Sequence, residues 1–253
     1  MSLFSLEGRT AIITGSSRGI GRAIAEQFAA QGGNVVISSR KGPVCEEVAD
    51  AINEKGQGKA IPIPASISDK EALEALVAKT REAFGKIDIC VCNAASNPYY
   101  GPIGGISDEQ FRKILDNNIL SNHWLMQMCL PDMIEQKKGS LIVVSSIGGL
   151  RGSPTIGAYN VSKAADFQLA RNYAVEYGQH NVRTNCIAPG LIRTDFAKAL
   201  WDNPAAEKAY NSSHPMRRIG LPDELAGAAV FLASDAGSYV NGQMIVVDGG
   251  STI

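Results

Sequence analysis

Short runs rich in β-branched residues alternate with longer amphipathic stretches along this whole chain, and no other feature restricts its fold as much. A strand buried on both faces reads as a nearly unbroken apolar run, and two parallel strands need a crossover of a dozen or more residues between them. Residues 10–14, 34–38, 60–64, 87–92, 140–145, 183–188 and 244–247 have that strand character. The helical period falls between them, over 19–31, 44–55, 70–84, 108–135, 159–177 and 222–233, with Asp69 and Ser107 where helix N-caps belong. The expectation is an α/β chain with one doubly wound parallel sheet of about seven strands and helices on both faces.

At 253 residues, the usual domain size of about 150 allows one domain or two. No repeat, linker or compositional break divides the chain, so we expect a single domain over 1–253. The least regular stretch, 191–221, carries Phe196, Trp201, Pro204 and Pro215 in a polar setting. A long excursion of that kind is either a substrate lid or a surface that packs on a neighbouring subunit.

Charge excludes several functions. The chain has 24 basic and 25 acidic residues, a net charge of -1, which leaves no electrostatic footprint for nucleic acid or an anionic membrane. A small-molecule substrate follows. Charged residues make up only 19% of the chain, as suits a subunit that buries faces against its own copies. Cys45, Cys90, Cys92, Cys129 and Cys186 sit in mostly apolar runs and read as reduced core residues; the Cys90–Cys92 spacing is too tight for a zinc knuckle, and no metal is expected. Residues 1–8 lack a basic and an apolar segment of the secretory type, and no apolar run reaches the ~18 residues of a membrane span, so a cytoplasmic location is expected.

The first strand runs into Thr14-Gly15-Ser16-Ser17-Arg18-Gly19-Ile20-Gly21. Glycines there let the backbone approach a pyrophosphate, whose charge meets the free N–H groups at the start of the following helix. The same turn also serves as a bare strand-to-helix connection. In dinucleotide folds an acid at the end of the second strand selects the free ribose 2′-hydroxyl. This chain has Ser38-Ser39-Arg40-Lys41 instead, with a guanidinium suited to a 2′-phosphate and no carboxylate to repel one. NADP(H) is therefore expected over NAD(H), with Arg18 as a second cationic contact; a solvated loop cation is the other reading of Arg40.

Tyr159 and Lys163 lie four apart on a helical stretch and share a face. A phenol, with a free pKa near ~10, is a poor proton donor or acceptor at neutral pH, and a neighbouring ammonium is expected to lower that value. The strand at 140–145 ends on hydroxyls, Ser145 and Ser146, at the sheet edge where α/β folds bind ligands. Asn118 falls mid-helix, where an amide is an indifferent helix former. Taken singly, Ser146 reads better as a strand-end hydrogen bond and Asn118 as a helix kink.

Thr14-Gly15-x-x-x-Gly19-Ile20-Gly21, Asn93-Ala94, Asn118, Ser146, Tyr159-x-x-x-Lys163, Pro189-Gly190 and Thr194 together resemble the short-chain dehydrogenase/reductase family, over nearly the whole chain. Residues 36–41, 93–98 and 159–163 look like its branch of NADP-dependent carbonyl (retinal/ketone) reductases, without the peroxisomal signal at Ser251-Thr252-Ile253. The resemblance implies a Rossmann-type sheet. It also implies that Tyr159 exchanges the carbonyl proton, Ser146 holds the substrate oxygen, Lys163 binds the nicotinamide ribose and tunes Tyr159, and Asn118 holds a relay water. Gly15, Ser17, Arg18, Gly19, Ile20 and Gly21 would line the pyrophosphate and ribose. Ser39, Arg40, Ile67, Asn93 and Ala94 fall on the adenosine side, and Pro189, Gly190, Ile192 and Thr194 on the nicotinamide side. A homotetramer or dimer is implied too, and the apolar strand 244–247 followed by Asp248-Gly249-Gly250 suits an interface. The chain departs from the family pattern at Ala95, where glycine is usual, at Ser66 before Ile67, where aspartate is usual, and at Asn117, where an apolar residue is usual.

The expected activity is hydride exchange between a nicotinamide and a ketone or aldehyde, giving an alcohol. Tyr99, Tyr100, Ser153, Pro154, Phe196, Leu200 and Trp201 are candidate pocket residues that suggest an apolar or aromatic ketone. Two other functions compete: a 3-oxoacyl thioester reductase with the same machinery, and a nucleotide-sensing protein that has kept the fold without the chemistry.

Overall fold

Seven parallel strands form one sheet in the order β3-β2-β1-β4-β5-β6-β7 in the computed structural model, which describes residues 2–253. They are β1 (Thr10–Thr14), β2 (Asn34–Ser38), β3 (Ala60–Pro62), β4 (Ile89–Cys92), β5 (Gly139–Val144), β6 (Val182–Pro189) and β7 (Met244–Val247). Strand order reverses between β1 and β4, which leaves a crevice at their carboxyl ends, where open α/β sheets bind ligands.

Side-chain alternation divides the core in two. Ile13, Val35, Ile37, Val91, Ile142 and Ile187 face α1 (Gly19–Ala30), α2 (Gly42–Lys55) and α9 (Asp223–Ala233). Their chain neighbours Ile12, Val36, Cys90, Cys92, Val143 and Cys186 face α3 (Lys70–Phe84), α5 (Ser121–Gln136) and α6 (Gly157–Tyr177). A strand covered on both faces must be apolar at successive positions, and these are. All five cysteines are free and buried, as their apolar neighbours suggest. Among the described residues no helix is long and apolar enough to cross a membrane.

Asp69 caps α3 by accepting from Ala72 N, and Ser107 forms a reciprocal capping box with Gln110 at the start of α4 (Asp108–Leu115). Three expectations need correction. The helix expected over 108–135 is broken: α4 and α5 are joined by a π turn, Asp116–Leu120, in which Ser121 N reaches back to Asp116 O. The irregular stretch 191–221 holds α7 (Lys198–Trp201) and α8 (Pro204–Ser213). An Asn203 N-cap with Pro204 at the first helical position was a legible signal for α8. The strand expected over 60–64 ends at Pro62, because prolines at 62 and 64 have no N–H to give the ladder, although Ile63 N still donates to Ile37 O.

The ends of the 191–221 excursion are tied together. Ile192 and Gly220 form an isolated parallel bridge, with Gly220 N on Leu191 O and Arg193 N on Gly220 O. β7, the strand at the edge of the sheet, is half-buried, with Val246 exposed.

Candidate functional site

The glycine turn sits at the strand-order reversal. Gly15 has φ +67°, a left-handed conformation costly for any side chain. At Gly21 the constraint is space: a Cβ there would lie 2.5 Å from both Gly15 O and Asn93 Nδ2. Asn93, just past β4, ties the turn down, its Nδ2 donating to Thr14 O at 2.8 Å and to Gly15 O at 3.3 Å. The Thr14 hydroxyl returns the bond, accepting from the N–H groups of Asn93 and Ala94. Asn93 therefore shapes the turn with its amide nitrogen.

α1 begins at Gly19 with no side-chain cap and no acid in its first turn, so its first N–H groups face outward with the positive end of the helix dipole. The donor set, the missing side chains and the open cap fit a pyrophosphate. Thr194 joins this end: its Cγ2 lies 3.2 Å from where a Gly19 Cβ would stand. Pro189 ends β6, Gly190 N donates to Val247 O, and Ile192 is buried in the first core cluster.

The adenosine side is looser. Arg40 is exposed beyond β2 and makes no ion pair or side-chain hydrogen bond among the described residues. Arg18 is exposed too, but pairs with Asp195 at 3.2 Å. Ser39 Oγ lies 3.1 Å from Cys45 Sγ. Ile67 packs partly against the second core cluster, and Ser66 Oγ shares a hydrogen bond with Ser68 Oγ.

The chemical end is built on α6 and the end of β5. Lys163 is buried, its Nζ donating to Val144 O at 3.0 Å and to Asp166 Oδ2 at 2.9 Å. It lies 5.6 Å from the centroid of the partly buried Tyr159 ring. Ser145 Oγ donates to Lys163 O and fastens the helix to the strand end, while Ser146 Oγ accepts from Gly148 N. Burial pushes the Tyr159 phenol above its ordinary range; Lys163 and Ser146 pull it down, and Asp166 pushes it up again. Lys163 does lower the phenol, as expected, but desolvation outweighs it, and the lysine has a buried counter-ion that the spacing of Tyr159 and Lys163 did not reveal. Burial works against the Lys163 ammonium as well, but Asp166 and Tyr159 outweigh it and keep it charged.

Asn118 lies at the junction of the loop and α6: its Oδ1 accepts from Ser96 N at 2.8 Å, and its Nδ2 donates to Ser96 O and to Ser162 Oγ. Ser162 in turn donates to Tyr159 O at 2.7 Å. These bonds fix the 93–97 loop to α6 through Asn118, and the second lone pair of its Oδ1 is not used by them. Asn117 completes the clamp, its Nδ2 donating to Ser96 Oγ at 3.0 Å. The π turn brings both successive asparagines to Ser96, and this accounts for an amide at a position where the family has an apolar residue.

Of the candidate pocket residues, only Phe196 meets Tyr159, with ring centroids 6.0 Å apart. Trp201 turns inward, its Nε1 on Thr194 O and its ring under the Arg193 guanidinium. Tyr99 OH donates to Pro102 O within its own loop, Ser153 Oγ bonds its neighbour Thr155, and Tyr100, Pro154 and Leu200 are exposed. Asp166, central to the site, was missed; its signal was a lone carboxylate on the lysine's helix face, three residues on.

A family model described as enoyl-(acyl carrier protein) reductase matches residues 15–252. Dehydrogenase/reductase SDR family member 4 of Bos taurus is 39% identical over 97% of this chain and 88% of its own length. A structure from Beutenbergia cavernae, assigned as an NAD(P)-dependent gluconate 5-dehydrogenase with NADP bound at low occupancy, superposes with a TM-score of 0.92 at 34% identity over 98% of each chain. A 7α-hydroxysteroid dehydrogenase in complex with NADH and 7-oxo glycochenodeoxycholic acid superposes with a TM-score of 0.93 at 36% identity, covering 98% of this chain and 95% of that one.

Proposed function

Since the chain belongs to the short-chain dehydrogenase/reductase family of nicotinamide-dependent oxidoreductases, we propose that it is an NADP(H)-dependent carbonyl reductase that interconverts a ketone or aldehyde and an alcohol. The observation that carries this reading is the cluster of Ser146, Tyr159 and Lys163 at the carboxyl ends of β5 and β6, beside a glycine turn whose open helix start suits a pyrophosphate.

The nicotinamide supplies or accepts the hydride when bound. This chain's residues do the rest. The phenol of Tyr159 gives its proton to the carbonyl oxygen as the carbon becomes tetrahedral, and takes it back in the reverse direction. Ser146 donates a hydrogen bond to that oxygen as charge develops on it. Lys163 holds the ribose hydroxyls and stabilises the phenolate left behind. Asn117 and Asn118 keep the 93–97 loop at its distance from α6, and Pro189, Gly190, Ile192 and Thr194 form the wall on the nicotinamide side. Gly15, Ser17, Arg18, Gly19, Ile20 and Gly21 hold the pyrophosphate, with Ser39, Arg40, Ile67, Asn93 and Ala94 on the adenosine side. We take the chain as one domain, with 191–221 as its substrate lid and Phe196 facing the proton donor. The substrate class is an apolar or aromatic ketone, and β7, an exposed apolar edge, suits assembly into a dimer or tetramer.

Arg40 carries the cofactor preference, since it stands free at the end of β2 with no acid beside it to repel a 2′-phosphate. Arg40→Asp is expected to lower the NADPH-over-NADH preference in kcat/KM by about tenfold or more, the worth of one charge-assisted bond. Steady-state rates with both cofactors measure it, and an unchanged ratio rejects the assignment. The reading as a whole is tested by following the reduced nicotinamide band with free ketones, aldehydes, alcohols and 3-oxoacyl thioesters. Turnover confined to thioesters would make this a 3-oxoacyl thioester reductase, and cofactor binding without any turnover would make it a nucleotide-sensing protein.

A further inference from the structure

Asp166 is the one group in this site that hydride transfer as written above does not use. It lies on α6 three residues beyond Lys163, with no exposed side-chain surface. Oδ2 receives Lys163 Nζ at 2.9 Å and Oδ1 receives Asn122 Nδ2 at 3.2 Å. Taking a carboxylate out of water is costly even when it is paired, and an apolar side chain of similar volume would fill the same place without that cost. Packing alone therefore gives no reason for an acid here.

We propose that Asp166 is a positioning residue that anchors Lys163 and cancels part of its charge, so that Tyr159 stays protonated and the site is set for carbonyl reduction rather than alcohol oxidation at neutral pH. This rests on Tyr159 being the proton donor, as in the reading above. The ammonium lies between a ring centroid at 5.6 Å and a carboxylate at 2.9 Å. An ammonium compensated at contact distance acts on the phenol as a dipole, and a dipole's pull falls off faster with distance than a charge's. The same balance shows at the phenol, which burial and Asp166 push up against Lys163 and Ser146.

Among the described residues, no other charged side chain hydrogen-bonds to the pair. From β5 the pair meets the Val144 carbonyl and the hydroxyls of Ser145 and Ser146, and from α5 the neutral amide of Asn122. From β6 comes Cys186, whose Sγ donates to Asp166 O and whose thiol burial holds neutral. From β4 comes the Cys92 thiol, whose Sγ lies 3.9 Å from Asn122 O. Above the ring, Phe196 brings no charge, and its neighbour Asp195 is paired with Arg18. Further along α6, Arg171 acts on Cys186.

Reduction places the hydride on the carbonyl carbon and the phenol proton on its oxygen, so it needs the acid form of Tyr159; oxidation needs the phenolate. Reduction accordingly fails as pH rises through the phenol's pKa, and oxidation appears over the same interval. Asp166→Asn keeps the volume and an acceptor for Asn122 but removes the anion. Both limbs should then move to lower pH by about one unit, the smaller end of what a nearby charge does. Oxidation at neutral pH should rise about tenfold, as the phenolate fraction does per unit. Asp166→Glu, which restores the anion, should return both limbs towards their original positions.

A second measurement needs no substrate. The ultraviolet phenolate band, taken as the difference between Asp166→Asn and Asp166→Asn/Tyr159→Phe, should titrate below the same difference taken with Asp166 in place. If no carbonyl is turned over at all, the functional reading fails while this titration still tests Asp166. Limbs or a phenol that stay put, with rates lowered equally at every pH, overturn the proposal. Asp166→Leu serves if the asparagine variant does not fold. Failure of both to fold also overturns it, because Asp166 would then be a folding element and not a tuning one.

Discussion

Tyr159→Phe should lower carbonyl turnover by about a thousandfold, within the range that positioned acid–base groups contribute, while cofactor affinity changes by no more than about twofold. The substitution removes one oxygen and little else. The ring keeps its contact with Phe196 at 6.0 Å, and Lys163 keeps Val144 O and Asp166 as partners, so the shape of the site survives. What is lost is the proton that must reach the carbonyl oxygen, and an unpositioned water is a poor substitute for a phenol held in place. Steady-state reduction of a ketone measures the first quantity and fluorescence titration of the reduced cofactor the second. Residual turnover above about a tenth of the parent rate would show that the proton comes from elsewhere.

Gly21→Val should break the other half of the site. A Cβ at this position would stand 2.5 Å from Gly15 O and from Asn93 Nδ2, and one of these is backbone that cannot swing away. The turn must open, which misdirects the N–H groups at the start of α1 and strains the Asn93 bonds to Thr14 and Gly15. Losing one or two bonds to a charged group is worth ~1.5–3 kcal/mol, so cofactor affinity should fall by about ten- to a hundredfold. Overpacking should also cost about 1–3 kcal/mol of stability, read as a lower denaturation midpoint. Gly104→Ala is the control, since nothing lies within 4 Å of its added carbon. Binding that survives Gly21→Val would mean that the pyrophosphate does not sit on this turn.

The sheet was legible because buried parallel strands leave a plain mark, an apolar run bounded by polar turns, as in Val35-Val36-Ile37 or Leu141-Ile142-Val143. The candidate pair Tyr159 and Lys163 was legible for a different reason, since the two share a helix face and that face is fixed by a period of 3.6. Contacts set by tertiary packing were not. Nothing local distinguishes Asn117 and Asn118 in a helix from the same pair in a π turn, because the extra residue is accommodated only when both amides find Ser96 across the crevice. The effect of Asp166 on Tyr159 was hidden for a similar reason: a carboxylate one turn from a lysine usually marks a solvated pair, and only its burial makes it a term in the chemistry. Helix α8 was missed although Asn203-Pro204 announces it, because prolines and aromatics in a polar setting read as an irregular excursion.

The bridge between Ile192 and Gly220 closes the neck of the segment above the proton donor, so the chain leaves β6 and returns to α9 through nearly one point. On the reading of 191–221 as a lid, residues added, removed or exchanged beyond that neck would alter what can approach Tyr159 without disturbing the strands. Substrate range could then drift between descendants of this sequence while the proposed proton and hydride chemistry is inherited unchanged.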